Sequence, residues 1–354
     1  MIEDANQCSS KKNDTPQFKP ECFLEDERLR ICHELRTPLT SIRGALGLLY
    51  SGHFGDLSQE GERILKIAIE NTNRLTRLAN AIESEPISPM VVLSEETVER
   101  LQLENDLHTA LQQQEFHLVY QPIIATESHQ IIGFEALARW QHPQKGLIPP
   151  TVFIPVAEKV GCIHQLGLEI LRQACRQLKV WQQQFPVKPL LTMSVNLSTL
   201  QLLQPDLIQE IQKILEENKI IPSSLKLEIT ESSLIENQQT AIRVLACLKT
   251  MGIQLYVDDF GSGYSSLRRL QELPIHALKI DRSFIQSKQW DISETIILLA
   301  AKLGLDVIAE GVETNEDLAA LQAIGCNKMQ GYLFSKPLNA QAVTELIQAF
   351  QASC

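Results

Sequence analysis

The sequence predicts an α/β protein in which a barrel of eight strands follows an all-α helical hairpin. Between residues 103 and 354, eight runs rich in β-forming residues alternate with amphipathic stretches, the pattern of a parallel barrel. Before residue 85, two segments repeat apolar residues at spacings of four and three, which indicates paired helices. We therefore expect a TIM-type (β/α)8 barrel, with a doubly wound sheet as the structural alternative.

The N-terminal part begins with a polar tail, residues 1–22, which we expect to be disordered. The hairpin follows over residues 23–84, and its turn is predicted at SGHFGDLS because of the two glycines. The apolar seams comprise Leu35, Leu39, Ile42, Leu46 and Leu49 in the first helix, and Ile64, Ala68, Asn71, Leu75, Leu78 and Ile82 in the second. One hairpin buries little surface, so we expect two copies to form a dimeric four-helix bundle.

A linker over residues 85–102 is predicted from the two prolines of ESEPISPM, and it runs into the helical stretch ETVERLQLENDLHTALQQ. The barrel domain then covers residues 103–354. Its expected strands are FHLVYQPII, IIGFEALARW, LLTMSVNLS, LKLEITES, IQLYVDDF, ALKIDRSF, DVIAEGV and KMQGYLFS.

Composition limits the classes of partner and compartment. The net charge of −11 argues against a nucleic-acid polymer bound through a basic surface. The eight cysteines are scattered without a C-x-x-C pair, which is typical of a reducing compartment. The N-terminus is polar and no apolar run approaches the ~18 residues of a membrane span. We therefore expect a cytoplasmic protein without a membrane span.

Polar side chains recur at the expected strand ends, where barrel enzymes carry their chemistry. They are Glu135, Asn196, Glu228 with Glu231, Asp258 with Asp259, Lys279 with Asp281, Glu310 with Glu313, and Gln330. Any one of them could be a helix cap or a surface charge. In a barrel, however, successive strand ends surround one opening, so we expect these groups to face a common centre.

The adjacent pair Asp258 and Asp259 ends a strand and precedes a Gly-Ser-Gly turn. Clustered carboxylates repel one another unless positive charge lies among them, and their hard oxygens suit Mg²⁺ or Mn²⁺. A two-metal site of this kind is typical of phosphodiester cleavage. An EF-hand loop fails because Phe260 takes the third ligand position, and a dinucleotide fingerprint fails because Ser266 replaces its third glycine.

Eight ordered blocks resemble the EAL domain family of cyclic di-GMP phosphodiesterases, which have a modified TIM barrel. They are YQPI, FEALARW, VNLS, LEITES, VDDFGSGYSSL, LKIDRSF, AEGVET and QGYLFSKPL, within residues 103–350. Ser262 stands where the family more often has threonine, and the stretch from Lys279 to Glu310 is shorter than usual. The resemblance implies metal-dependent hydrolysis of cyclic di-GMP to linear pGpG.

The resemblance also implies roles for individual residues. Lys279 would orient the attacking water, Glu310 would be the general base, and Glu231 would hold the loop DDFGSGYSS. The implied metal ligands are Glu135, Asn196, Glu228 and Asp258 for one ion and Asp259 for the second, with Glu313 supporting the site. The implied substrate contacts are Gln121, Arg139, Asp281 and Gln330.

The segment ICHELRTPLTSIRGALGLL resembles the phosphoacceptor box of histidine-kinase dimerisation domains, with His33 as the phosphorylated residue. No kinase ATP-binding domain follows it in this sequence, so His33 would receive phosphate in trans from another kinase or a receiver. Two other readings stay open: a dimerising hairpin only, or a catalytically silent cyclic di-GMP receptor or scaffold that signals to two-component partners.

Overall fold

The structure, a computed structural model, describes residues 95–186, 188–231, 238–261 and 267–352. The chain divides into two units after Ser94, and all described residues belong to the second unit. The tail, the hairpin, His33 and the first part of the expected linker lie outside the described residues, as does Ser262. Helix α1 begins at Glu95, within the segment assigned to the linker.

Eight strands close into a barrel, as the sequence predicts. The strands are β1 (Phe116–Ala125), β2 (Gln130–His142), β4 (Thr192–Asn196), β5 (Leu225–Thr230), β6 (Gln254–Phe260), β7 (Ala277–Ile280), β8 (Asp306–Ala309) and β9 (Lys328–Met329). A ninth, β3 (Gly146–Ile148), forms a hairpin with the end of β2. The ring order is β1-β9-β8-β7-β6-β5-β4-β2, and β1 pairs with β2 to close it.

One strand departs from the all-parallel pattern. β1 is antiparallel to both of its neighbours, β2 and β9, whereas the remaining ring pairs are parallel. Only residues 126–129 separate β1 from β2, and so short a connection permits a hairpin but no parallel crossover. β1 therefore runs in the direction opposite to that of the other seven ring strands.

Helices surround the barrel. They are α1 (Glu95–Gln112), α2 (Pro150–Lys159), α3 (Ile163–Gln184), α4 (Thr199–Leu202), α5 (Leu207–Asn218), α6 (Gln238–Thr250), α7 (Leu267–Glu272), α8 (Arg282–Gln286), α9 (Trp290–Leu303), α10 (Asn315–Ala323) and α11 (Ala340–Ala352). The long helix α3 buries one apolar face that includes Leu171, Leu178 and Trp181. None of the described helices combines the length and the apolar character that a membrane crossing requires.

The apolar residues separate into two clusters because neighbouring strand residues face opposite sides. In β6, Leu255 and Val257 belong to the large cluster beneath the helices. The intervening Tyr256 belongs to a small cluster with Ile123, Ala277 and Ile308. This small cluster, the interior layer, fills the interior of the barrel.

Candidate active site

The functional side chains form a second layer directly above the interior layer. In the parallel strands, the residue two positions after each interior-layer residue points to the same side and lies nearer the opening at the C-terminal ends of the strands. The pairs are Tyr256 and Asp258, Ala277 and Lys279, and Ile308 and Glu310. In the reversed strand β1 the order is inverted, so Gln121 precedes Ile123, and it pairs in register with Glu135. The strand register therefore brings these polar groups to one opening.

Lys279 lies at the centre of this layer and is fully buried. Its Nζ lies 2.5 Å from Glu310 Oε1, 2.6 Å from Glu228 Oε2, 3.1 Å from Asp258 Oδ1 and 3.4 Å from Glu135 Oε2. One ammonium group therefore faces four carboxylates. The excess of negative charge is the condition under which a cation is attracted to the site.

The pKa shifts in the cluster follow from burial and this shared lysine. Burial alone would lower the pKa of Lys279, but the four carboxylates outweigh it and raise that pKa well above its ordinary value. Burial raises the pKa of Glu228 well above its ordinary value, and the neighbouring acids add to the effect. Burial likewise raises the pKa of Glu310 to about 8. Lys279 stays charged while part of the acid cluster retains protons readily.

Among the carboxylates of the cluster, Glu135 has the most complete set of hydrogen bonds. Its Oε1 accepts a hydrogen bond from Asn196 Nδ2 at 2.9 Å, and its Oε2 accepts one from Gln330 Nε2 at 2.7 Å. Burial opposes ionisation, but Lys279 and these amide donors outweigh it and lower the pKa of Glu135. Gln330 also donates to Gln121 Oε1 at 2.9 Å. Residues from three strand ends and from β1 thus hold one ionised carboxylate in place.

Three acids form a compact group at the opening. One carboxylate oxygen each from Asp258, Asp259 and Glu310 lies within 4.8 Å of the others. Asp259 has a φ of +52°, a left-handed conformation that turns the chain immediately after Asp258. Burial, the neighbouring Asp258 and a hydrogen bond with Asp281 raise the pKa of Asp259 to about 6. The turn brings two consecutive carboxylates to the same opening, although strand neighbours ordinarily diverge.

The donor set fits a hard divalent cation. The ligand atoms available are carboxylate oxygens and an amide, which Mg²⁺ and Mn²⁺ prefer. Glu228 Oε1 is buried without a hydrogen-bond partner, an arrangement that is costly unless something else binds that oxygen. The residues that could hold metal are Glu135, Asn196, Glu228, Asp258, Asp259 and Glu310.

The loop after β6 is fastened by Glu231. The Gly261 N–H donates to Glu231 Oε2 at 3.0 Å, and the Glu231 side chain is buried. Gly261 has a φ of +98°, and a Cβ there would lie 2.8 Å from the Phe284 ring. Glycine is favoured here both by the positive φ and by the lack of room for a Cβ beside Phe284. The next residues, 262–266, lie outside the described part of the chain.

Three other residues predicted for the site lie nearer its margin. Asp281 caps helix α8, with its Oδ1 accepting the Ser283 N–H at 2.8 Å. Glu313 is exposed, and its Oε1 accepts a hydrogen bond from Gln286 at 3.4 Å rather than joining the acid trio. Arg139 Nη1 donates to its neighbouring carbonyl, that of Ala138, at 2.9 Å.

Sequence reasoning missed further groups around the opening. Tyr332 lies three residues after the end of β9 and is 54% exposed, with Lys336 Nζ 5.5 Å from its ring centre. An exposed aromatic residue inside the quoted block QGYLFSKPL was an available signal. Glu158 and Ser198 line a cavity beside Asn196. The sequence gave no comparable signal for them, because Glu158 lies on helix α2, far along the chain from the end of β4.

Comparisons with known proteins agree with this geometry. Residues 104–337 match the EAL domain, and residues 30–85, which include His33, match the His Kinase A (phospho-acceptor) domain. The bifunctional diguanylate cyclase/cyclic di-GMP phosphodiesterase MucR of Pseudomonas aeruginosa is 41% identical over 248 residues, covering 69% of this chain and 36% of MucR. The cyclic di-GMP phosphodiesterase NbdA of the same organism is 41% identical over 258 residues, covering 72% of this chain and 33% of NbdA.

A solved structure described as the PaMucR phosphodiesterase in complex with c-di-GMP superposes with a TM-score of 0.65 at 40% identity, covering 68% of this chain and 99% of that one. The chain spans about a third of the length of the two curated relatives, 36% and 33%. The EAL match extends over most of the sequence and over every described strand. This chain therefore belongs to the EAL domain family.

Proposed function

We propose that this chain hydrolyses cyclic di-GMP to linear pGpG with Mg²⁺ or Mn²⁺ in a two-metal site. The observation that carries the proposal is the Lys279-centred acid cluster, in which Lys279 Nζ contacts Glu228 and Glu310, and Asp258, Asp259 and Glu310 bring carboxylate oxygens within 4.8 Å of one another. The relatives named as phosphodiesterases and the related structure with bound c-di-GMP support the same substrate.

The metals would be held by Glu135, Asn196, Glu228, Asp258 and Asp259, with Glu313 as the more distant supporting residue. When bound, they would offset the charge of the acids, stabilise the phosphate oxygens and make water a better nucleophile. The substrate contacts in this proposal are Gln121, Arg139, Asp281 and Gln330. Gln121 and Gln330 already form one hydrogen-bonded pair, so their orientation is fixed before substrate binds.

The chain's own acid and base groups complete the reaction. Lys279 would donate a hydrogen bond to the attacking water, and Glu310 would accept the proton as the new P–O bond forms. Lys279 Nζ and Glu310 Oε1 are 2.5 Å apart, so a water molecule bound by Lys279 would lie within reach of Glu310. The bond from phosphorus to the ribose 3′ oxygen breaks, and that oxygen takes up a proton, which leaves the 5′-phosphate of pGpG.

The direct test is chromatography of products after incubation of the purified full chain with cyclic di-GMP and either Mg²⁺ or Mn²⁺. We expect a pGpG peak with the natural sequence and none with Glu135→Ala. Tight substrate binding without product would instead support a catalytically silent receptor.

We further propose that the chain acts as a homodimer whose activity is regulated through the N-terminal hairpin. The match of residues 30–85 to the phosphoacceptor domain supports His33 as a residue phosphorylated in trans by a histidine kinase or a receiver. In cells that retain their kinases, we expect His33→Gln to change phosphodiesterase output. Unchanged output would leave the hairpin as a dimerising element only.

A cytoplasmic location is part of the same proposal. Among the described residues, Cys162, Cys175, Cys247 and Cys326 are not joined in disulfide bonds, and cysteines without disulfide bonds are usual in a reducing compartment. Fractionation of cells that express the full chain at native level tests it. A membrane or exported pool as the main fraction would contradict it.

A further inference from the structure

A fully buried hydroxyl lies directly beneath the acid cluster. In β4, Met193 and Val195 pack in the large apolar cluster beneath the helices, so Ser194 between them faces the barrel interior. Asn196, two residues nearer the opening, faces the same way and donates to Glu135. Ser194 has no exposed surface, and its Oγ forms no hydrogen bond with any described residue. Because a buried hydroxyl without a partner opposes folding, a functional role is the expected reason for this serine.

The carboxylate of Glu228 presents a matching oxygen. Glu228 lies on β5, which pairs with β4, and the register sets Ser194 beside Lys226, two residues before Glu228 on the same face. Glu228 Oε2 lies 2.6 Å from Lys279 Nζ, whereas Glu228 Oε1 is buried and has no hydrogen-bond partner in the described part of the chain. One oxygen of this carboxylate is therefore held in place and the other is not.

The register partners of Glu228 do not supply the missing donor. They are Asn196 on β4 and Tyr256 on β6. Asn196 Nδ2 donates to another carboxylate of the cluster at 2.9 Å, and the Tyr256 hydroxyl donates to Gln254 Oε1 at 3.2 Å. Ser194 Oγ has no described acceptor and lies diagonally across from Glu228. The two unpartnered oxygens therefore lie on neighbouring strands and face the same interior.

We propose that Ser194 is a positioning residue of the metal site, whose hydroxyl binds one buried water molecule that donates to Glu228 Oε1. Strand spacing and rise place the two Cα atoms roughly 8 Å apart, and a water molecule between the side chains spans the remaining gap. Hydrogen bonds behind a ligating carboxylate set its orientation towards a metal ion. The inference rests on the proposed function and adds a residue beneath the metal ligands.

The test measures metal binding by Ser194→Ala, a substitution that removes the hydroxyl without adding bulk. Calorimetric titration of the chelator-stripped full chain with Mn²⁺ gives the dissociation constant. We expect this constant to rise about ten-fold in Ser194→Ala, because loss of an outer hydrogen bond weakens metal binding by that order. The thermal midpoint of the metal-free variant should equal or exceed that of wild type, since no direct hydrogen bond within the described chain is lost.

Ser293→Ala is the matched control. Ser293 is equally buried, but its Oγ donates to the Gln289 carbonyl at 3.2 Å at the start of α9. This variant should have a lower metal-free midpoint and an unchanged Mn²⁺ dissociation constant. An unchanged dissociation constant in Ser194→Ala, whatever its midpoint, would show a structural hydroxyl and overturn the inference.

Failure of the proposed function gives a different pattern. In an active enzyme, Ser194→Ala should raise the Mg²⁺ concentration for half-maximal rate about ten-fold, with a smaller change in kcat at saturating Mg²⁺. If wild type binds Mn²⁺ but forms no pGpG, the proposed hydrolysis fails, and the Mn²⁺ comparison still decides the role of Ser194. If wild type binds no Mn²⁺, both the metal site and this inference are overturned.

Discussion

Lys279 Nζ lies 2.5 Å from Glu310 Oε1 inside the barrel opening, with three further carboxylates around the same ammonium group. This ion pair joins the residue proposed to orient water to the residue proposed to accept its proton. Since Lys279 is fully buried, it also compensates charges that would otherwise oppose folding.

Replacing Lys279 with methionine should affect both functions of this lysine. Losing one preorganised charge at the reacting centre should lower kcat by at least about a hundred-fold. Leaving the buried carboxylates uncompensated should cost about 3–5 kcal/mol of unfolding free energy without metal. Product chromatography and urea titration measure the two effects.

Lys226→Met is the control for that substitution. Lys226 is also buried, two residues before Glu228 in sequence, and its Nζ lies 5.1 Å from the centre of the Tyr256 ring. It makes none of the described ion pairs of the acid cluster. Equal losses of kcat in both variants would contradict a specific role for Lys279.

Metal binding should be measurable without turnover. Because Mg²⁺ or Mn²⁺ would bind the folded chain and not the unfolded one, either ion should raise the thermal midpoint of protein stripped with a chelator. Asp258→Asn should reduce that rise, whereas Asp291→Asn, at an exposed acid on α9, should not. The same rise in Asp258→Asn as in wild type would place the metal elsewhere.

Gly261→Ala should impair activity by disturbing the loop after β6. The new Cβ would meet the Phe284 ring at 2.8 Å, and the shift would strain the N–H bond to Glu231. Gly146→Ala is the matched control, because Gly146 has a φ of +72° with nothing within 4 Å of its added Cβ. We expect Gly146→Ala to lose about 1 kcal/mol of stability from its left-handed backbone conformation, and Gly261→Ala to lose more because of the added contact with Phe284.

Kinetics separate the two glycine variants. Only Gly261→Ala should lower kcat, by about ten-fold or more, since displacement of a positioning group costs that much. Product assays at saturating substrate provide the measurement. A normal kcat in Gly261→Ala would show that the Glu231 contact does not position the loop for catalysis.

Stability should fall in mild acid because of His276. Its Nδ1 accepts the Leu255 N–H at 3.0 Å, and burial followed by repulsion from Lys249 lowers its pKa below the ordinary 6.5, although Asp306 opposes this. The folded state therefore binds the proton less readily than the unfolded state. The contribution is fully present above pH 6.5 and is lost as pH falls through the lowered pKa.

His276→Asn should remove this part of the pH dependence, because the amide oxygen can accept the same N–H without titrating. Urea titrations of wild type and variant at neutral pH and below the His276 pKa provide the comparison. Parallel losses of stability in both proteins would assign the acid sensitivity to other groups.

The sequence predicted the eight strands because β-forming runs and turn residues are local signals. It also placed polar residues at the strand ends, and the structure brings most of them together. The reversed direction of β1 was missed, because hydrophobic pattern alone does not distinguish a parallel strand from an antiparallel one. The four-residue connection between Ala125 and Gln130 was the available signal.

Other features depend on contacts that no local pattern records. The central position of Lys279 among four acids follows from the inward register of β7 relative to its neighbours. The exposed position of Glu313 follows from the capping of α10, where Asp317 Oδ2 accepts the Glu313 and Thr314 N–H groups. The position of Glu158 at the cavity requires α2 to pack beside the end of β4, a tertiary contact.

The most direct test of the central claim is hydrolysis of cyclic di-GMP in heavy-oxygen water by the purified full chain with Mn²⁺. The account predicts pGpG whose 5′-phosphate carries one heavy oxygen, and none above background from Glu135→Ala. Product formed equally by Glu135→Ala, or substrate binding by wild type without any product, would contradict the assignment of hydrolysis to the Lys279-centred cluster.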